Sequence, residues 1–186
     1  RGALRRHAAS RGRMIGRFLP PGVFGNCLKR MKFLIGFVGP VGSGKTHIAR
    51  IFARKLTAVH VRTDDIRIAL RRQGKSYGAA PALARRKRDE VLAAGRSVVM
   101  DFDAIRPVRR AELQRSAKKF GARVFIIQVV TPERLILTRF HRHRYTRRDF
   151  FKNAAEAARV YFMRRKLHAR ALTPQIRKII KRMKGL

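Results

Sequence analysis

The chain has 186 residues, 47 of them Lys or Arg and 10 Asp or Glu, a formal balance of +37. That length suits one domain, and a hydrophobic fraction of 45% is enough for a sizeable core and excludes wholesale disorder. The longest clear apolar run, FLIGFV at 33–38, is far short of the ~20 residues of a membrane span, and the single Cys27 excludes an intramolecular disulfide framework and fits a reducing, cytoplasmic setting.

Residues 1–30 hold 8 basic groups and no acid, and Pro20-Pro21-Gly22 break them. Three readings stand side by side: an organellar leader, a basic arm for nucleic acid, or an upstream extension of a chain whose translation starts at Met31 or Met14. Residues 31–186 carry 39 basic and 10 acidic groups, still +29, so the basicity belongs to the body as well. A body this basic seeks polyanions, nucleic acid first and an anionic membrane surface second, unless the arginine is compositional drift.

Residues 33–38 are strand formers running into GPVGSGKT at 39–46, which satisfies G-x-x-x-x-G-K-[ST] in full. Ile48, Ile51, Phe52 and Leu56 follow at helical spacing, giving the strand, glycine loop and helix this motif requires. Gly39, Gly42 and Gly44 let the backbone curl, so that successive N–H groups, including that of Ser43, point at phosphate oxygens. The helix adds its positive N-terminal end. Lys45 is expected to reach the β- and γ-phosphates of ATP, and the Thr46 hydroxyl to ligate Mg²⁺.

Strand-like and helix-like segments then alternate. The spacing predicts a strand at 58–62, a helix over 65–73, a loop between Gly74 and Gly78, and a helix over 80–94 ending at Gly95. A strand at 97–101, a helix from Pro107 to Phe120, a strand at 123–130 and helices over 132–144 and 149–168 complete the body. The expected fold class is α/β, a parallel sheet covered by helices on both faces, with ligands at the carboxyl ends of the strands. The expected division is an arm or leader over 1–30, a P-loop body over 31–170 and a basic amphipathic helix over 171–186, opened by Thr173 and Pro174.

Three constellations fall at such strand ends. Asp64 and Asp65, the first acids of the chain, follow the second strand. Either is placed to accept a proton from a hydroxyl, to orient Mg²⁺, or to cap the next helix. Asp101 closes the run VVMD, in the manner of a Walker B acid that supports Mg²⁺, with Asp103 the alternative two residues on. Arg139, Arg142, His143 and Arg144 share a helix, and an arginine there serves either to stabilise charge on a transferring phosphoryl group or as a solvated basic face. His141 and His143 have no His or Cys partner nearby to suggest a metal. The stripe Phe150, Phe151, Ala154, Ala158, Tyr161, Phe162 and Leu167 reads as a helix packed on the sheet.

The ordered set GPVGSGKT, TDDIR, LAAGRSVVMD and VVTPERLILTR resembles the small P-loop kinases of the adenylate-kinase-like group over about residues 32–165. It is nearest to the polynucleotide 5′-hydroxyl kinases and zeta-toxin-like kinases. The resemblance implies a three-layer P-loop NTPase fold with sheet order 2-3-1-4. It implies that Asp64 is the general base toward an acceptor hydroxyl, that Arg67 contacts the acceptor side, and that Arg139 and the basic residues after it, such as Arg142, are lid arginines. Phe102 and Asp103 depart from that group, where a small polar residue and Asn are common. The expected function is a Mg²⁺/ATP-dependent kinase acting on a hydroxyl, either a nucleic-acid 5′-hydroxyl or a small metabolite. The alternative is a basic RNA- or ribosome-binding protein on a P-loop scaffold.

Overall fold

The structure, a computed structural model, describes residues 31–170; the segments 1–30 and 171–186 lie outside the described residues. The element order is β1 (Phe33–Val38), α1 (Lys45–Lys55), β2 (Val59–Arg62), α2 (Thr63–Arg72), a 3-10 turn (Tyr77–Ala79), α3 (Ala80–Ala93), β3 (Val98–Asp103), α4 (Pro107–Lys119), β4 (Arg123–Gln128), α5 (Glu133–Arg142) and α6 (Ala154–Arg170). The four strands pair in parallel in the order β2-β3-β1-β4. This is the α/β arrangement of P-loop NTPases, with the sequence motif strand β1 in the interior of the sheet.

Period-two alternation along β1 divides the core. Leu34 and Val38 face α3 and α4, where Ala84, Leu92, Leu113 and Ala117 are buried. Phe33, Ile35 and Phe37 face α1, through Ala49, Ala53, Ile48, Phe52 and Leu56. Helices therefore cover both faces. Parallel neighbours need crossovers, and each helix between paired strands provides one. Strand β4 lies at an edge and is only half-buried.

Strand β3 is longer than the sequence pattern suggests and irregular. It pairs evenly with β2 through Arg62↔Asp101, but its register with β1 jumps from Gly36↔Met100 to Phe37↔Asp103. Two extra residues, Asp101 and Phe102, thus stand opposite one step of β1, in the manner of a bulge. The strand rejoins β1 where Ala104 N donates to Phe37 O at 2.7 Å.

Two helix starts differ from expectation. Helix α2 begins at Thr63, with Arg62 as its N-cap and no side-chain cap bond, so Asp64 and Asp65 sit in the first turn and neither caps. Helix α6 begins at Ala154. Phe150 and Phe151 lie in the preceding loop, and Asn153 Oδ1 accepts from Glu156 N at 2.9 Å while Glu156 Oε2 accepts from Lys152 N. The α6 stripe also packs elsewhere than expected. Ala157 and Tyr161 bury against Ile136 and Phe140 of α5, while Phe162 and Leu167 are exposed.

Candidate functional site

The loop 39–44 leaves the end of β1 and turns back into α1. Ser43 N donates to Pro40 O at 3.2 Å, and Ser43 O accepts from the Thr131 hydroxyl at 2.8 Å. Gly42 and Gly44 take φ of 79° and 97°, the left-handed region that only glycine enters cheaply. Space is restricted too: a Cβ on Gly39 would stand 2.7 Å from Val129 O, and one on Gly42 would stand 2.7 Å from the Phe140 ring. The N-cap of α1 is Gly44, which offers no side-chain acceptor, and no acid lies in the first turn. The leading N–H groups of α1 therefore stay available to an external anion.

Lys45 lies over this loop. Its Nζ donates to Gly39 O at 2.5 Å and Pro40 O at 2.6 Å. Burial pulls its pKa below the ordinary 10.5, and the nearby carboxylates Asp103, Asp101 and Asp64, in that order, work against the fall. All four of these side chains line one cavity of about 1990 Å³.

The carboxylates occupy distinct positions. Asp101 is buried on β3, 3.5 Å from His60 Nε2 and 3.7 Å from Arg62 Nε, yet its Oδ2 accepts no hydrogen bond. Asp103 accepts from Gly39 N at 3.4 Å through Oδ1 and meets His168 Nε2 at 3.1 Å through Oδ2. Asp64 is held by Arg67 at 2.7 Å, and the Arg67 guanidinium lies 5.0 Å over the Phe150 ring. Asp65 points away, exposed, to Arg62.

Arg139 Nη1 donates to Gly42 O at 3.0 Å, directly on the loop backbone. Arg142 is exposed and lines the same cavity, as do His143 and Arg148. His143 Nε2 is 3.0 Å from Asp149 Oδ1, and Asp149 Oδ2 accepts from Thr146 N and the Thr146 hydroxyl. Helix α5, which bears Arg139 and Arg142, is fixed to α6 by the Tyr161 hydroxyl, which donates to Glu133 Oε2 at 3.0 Å. Burial first, then this bond and the Glu133 charge, push the Tyr161 hydroxyl up to about 12.

The residues present fit Mg²⁺ and ATP. Among the described residues Ser43 Oγ is buried with no hydrogen-bond partner, Asp101 Oδ2 is a buried carboxylate oxygen lacking a donor, and Thr46 lines the same cavity as Asp101 and Lys45. Lys45, Thr46, Asp64, Arg67, Asp101, Arg139 and Arg142 all border that cavity, together with Gly42 and Gly44; Gly39 and Ser43 belong to the loop but do not line it. Sequence reasoning missed His168 and Arg164 of α6, which come from a helix remote in sequence and have no local signature. It held Asp103 only as an alternative, because the β3 bulge that carries Asp103 back to the loop has no motif.

The AAA domain family model matches residues 34–169. A provisionally assigned kinase from Chloroflexus aurantiacus is 17% identical with a TM-score of 0.51, over 59% of this chain and 64% of that one. An APS kinase from Mycobacterium tuberculosis, solved with AMPPNP and APS, is 24% identical with a TM-score of 0.47, over 60% and 70%. A shikimate kinase from Acinetobacter baumannii in complex with shikimate is 16% identical with a TM-score of 0.43, over 87% and 97%. No curated protein matches the chain by sequence.

Proposed function

The chain belongs to the AAA domain family, and on that premise we propose that it is a Mg²⁺- and ATP-dependent phosphotransferase that moves the γ-phosphate of ATP to a hydroxyl acceptor. The observation that carries the reading is the convergence of the loop lysine, the Asp64–Arg67 pair, the β3 carboxylates and Arg139 on one cavity.

The uncapped N–H groups of Gly44, Lys45 and Thr46 take the β-phosphate oxygens. Lys45 Nζ leaves the carbonyls of Gly39 and Pro40 for the β- and γ-phosphates, a short movement of a side chain already at the loop mouth. Thr46 and Asp101 would hold Mg²⁺, which would neutralise phosphate charge there. Asp64 accepts the proton of the acceptor hydroxyl as that oxygen bonds to the γ-phosphorus, and the bond from the γ-phosphorus to the bridging oxygen breaks to release ADP. Arg67 holds the Asp64 carboxylate in position, and Arg139 and Arg142 offset charge on the transferring group.

Calorimetry with Mg²⁺–ATP and an acceptor screen with γ-labelled ATP test this reading; 5′-hydroxyl oligonucleotides and sugars both belong in the screen. Lys45→Ala is expected to lose ATP turnover by ~10²–10³-fold. Asp64→Asn should lower kcat by ~10²–10⁴-fold while leaving the Kd for ATP within about twofold. Wild-type protein that binds no Mg²⁺–ATP sinks the kinase reading. Unchanged transfer in Asp64→Asn removes only the assignment of the base.

A further inference from the structure

Opposite the P-loop, the cavity is walled by α2, the 3-10 turn, α3 and the first turns of α4. Arg67, Arg85, Arg88, Arg106 and Arg109 line this half. Of the carboxylates on these helices only Asp64 and Glu112 line it, and each is taken by a neighbour on its own helix, Arg67 at 2.7 Å and Arg109 at 3.4 Å. The remaining positive charge is not matched within the wall.

Arg88 is the unusual member. Its side chain is only 6% exposed, and its one hydrogen bond among the described residues runs from Nε to Asp89 Oδ1 at 2.8 Å. Asp89 Oδ1 also accepts from the Ser116 hydroxyl at 2.6 Å, so the carboxylate that holds Arg88 is itself held from α4. Burial pushes the Asp89 carboxyl up, but the bonds from Arg88 and Ser116 and the adjacent charges outweigh it and keep the carboxyl below the ordinary range. The guanidinium is thereby fixed through its Nε edge, while neither Nη group meets an acceptor among the described residues. Neither Nη is a sealed, unpartnered donor, so the fork stays within reach of a ligand in the cavity that Arg88 lines. A fixed planar fork matches an anion that presents two oxygens.

We infer that the acceptor itself carries a phosphate group, bound in this half of the cavity by the forked Arg88 with Arg85 beside it, so that the substrate is a phosphorylated alcohol rather than a neutral sugar. The inference rests on the kinase reading in assigning this half to the acceptor. Phosphate on a nucleotide and phosphate on a sugar present the same two oxygens to Arg88. Arg85, Arg88 and Glu112 also border a shallow recess of about 230 Å³ between α3 and α4, which Arg115 lines without lining the main cavity.

The test is calorimetric titration of inorganic phosphate into the full chain saturated with Mg²⁺–AMPPNP, at constant ionic strength. AMPPNP fills the nucleotide's phosphate positions, so a further phosphate must lie elsewhere. Arg88→Gln is expected to weaken phosphate binding at least tenfold, and Arg85→Gln several-fold. Arg115→Gln, which removes the same charge from the outer recess, should leave it within twofold. If Arg88→Gln fails to fold by circular dichroism, Arg88→Lys, which keeps the charge and loses the fork, and Arg85→Gln decide the matter. Displacement of phosphate by thymidine 3′-monophosphate or by glucose 6-phosphate sustains the inference and separates the two sources. Displacement by neither overturns it, as does equal weakening by Arg115→Gln. AMPPNP binding without phosphate binding overturns this inference alone, whereas failure to bind AMPPNP removes the kinase reading beneath it.

Discussion

At Gly42 two constraints coincide: a φ of 79° and a ring carbon of Phe140 where a Cβ would go. The first alone costs ~1–2 kcal/mol in an L-residue. Gly42→Ala is therefore expected to lower stability by about 2 kcal/mol or more, read as a lower midpoint in urea, and to weaken Mg²⁺–ATP binding because the Phe140 ring must move the helix that carries Arg139. An unchanged midpoint would show that the loop rearranges freely. Residue types at this scale were legible from the motif: glycine, lysine and threonine occupy the positions the phosphate chemistry demands. Their present partners were not. Nothing local in the sequence says that Lys45 Nζ rests on its own loop, or that Asp101 spends its proximity on His60 and Arg62 while Asp103 reaches Gly39 N.

At the scale of elements, β1 and the body of every helix follow from apolar spacing, because burial on one or two faces imposes that spacing directly. Ends were harder. The aromatic pair Phe150-Phe151 mimics the start of an amphipathic helix, yet the chain is not helical until Asn153 and Glu156 exchange bonds with the backbone. The segment between α5 and α6 is instead organised around Asp149. Burial raises its pKa, but Thr146 N–H, His143 and the Thr146 hydroxyl together hold the carboxyl below the ordinary 3.8. A folded pKa below the unfolded one contributes stability that is complete above 3.8 and lost as pH falls through the folded value. Hydrogen exchange across residues 143–153, corrected for intrinsic rates, should therefore accelerate below pH 3.8, and Asp149→Asn should exchange fast at every pH. Exchange insensitive to both changes would mean that Arg71, which donates to the carbonyls of Asp149 and Phe150, suffices to hold the segment.

For the whole molecule, charge is the dominant quantity. Among the described residues seven of the ten acids pair with an arginine and two more meet a histidine, so few carboxylates remain for the excess arginines. Self-repulsion of this kind is relieved when the Debye length shrinks from ~30 Å at 0.01 M to ~3 Å at 1 M salt. The melting temperature is expected to rise with sodium chloride between those limits. A fall would mean that the ion pairs outweigh the repulsion. Among the described residues, no helix is long and apolar enough to cross a membrane. The contact between His168 and Asp103 adds a dimension of time. His168 follows Asp103 by 65 residues, and the ribosome adds roughly 5–20 residues per second. The loop, β2 and β3 are thus made several seconds before the helix whose Arg164, Leu167 and His168 close over them. In that interval the arginines of α2 and α3 lack the α6 wall of their cavity, so the cleft is completed only after the rest of the described body has been made.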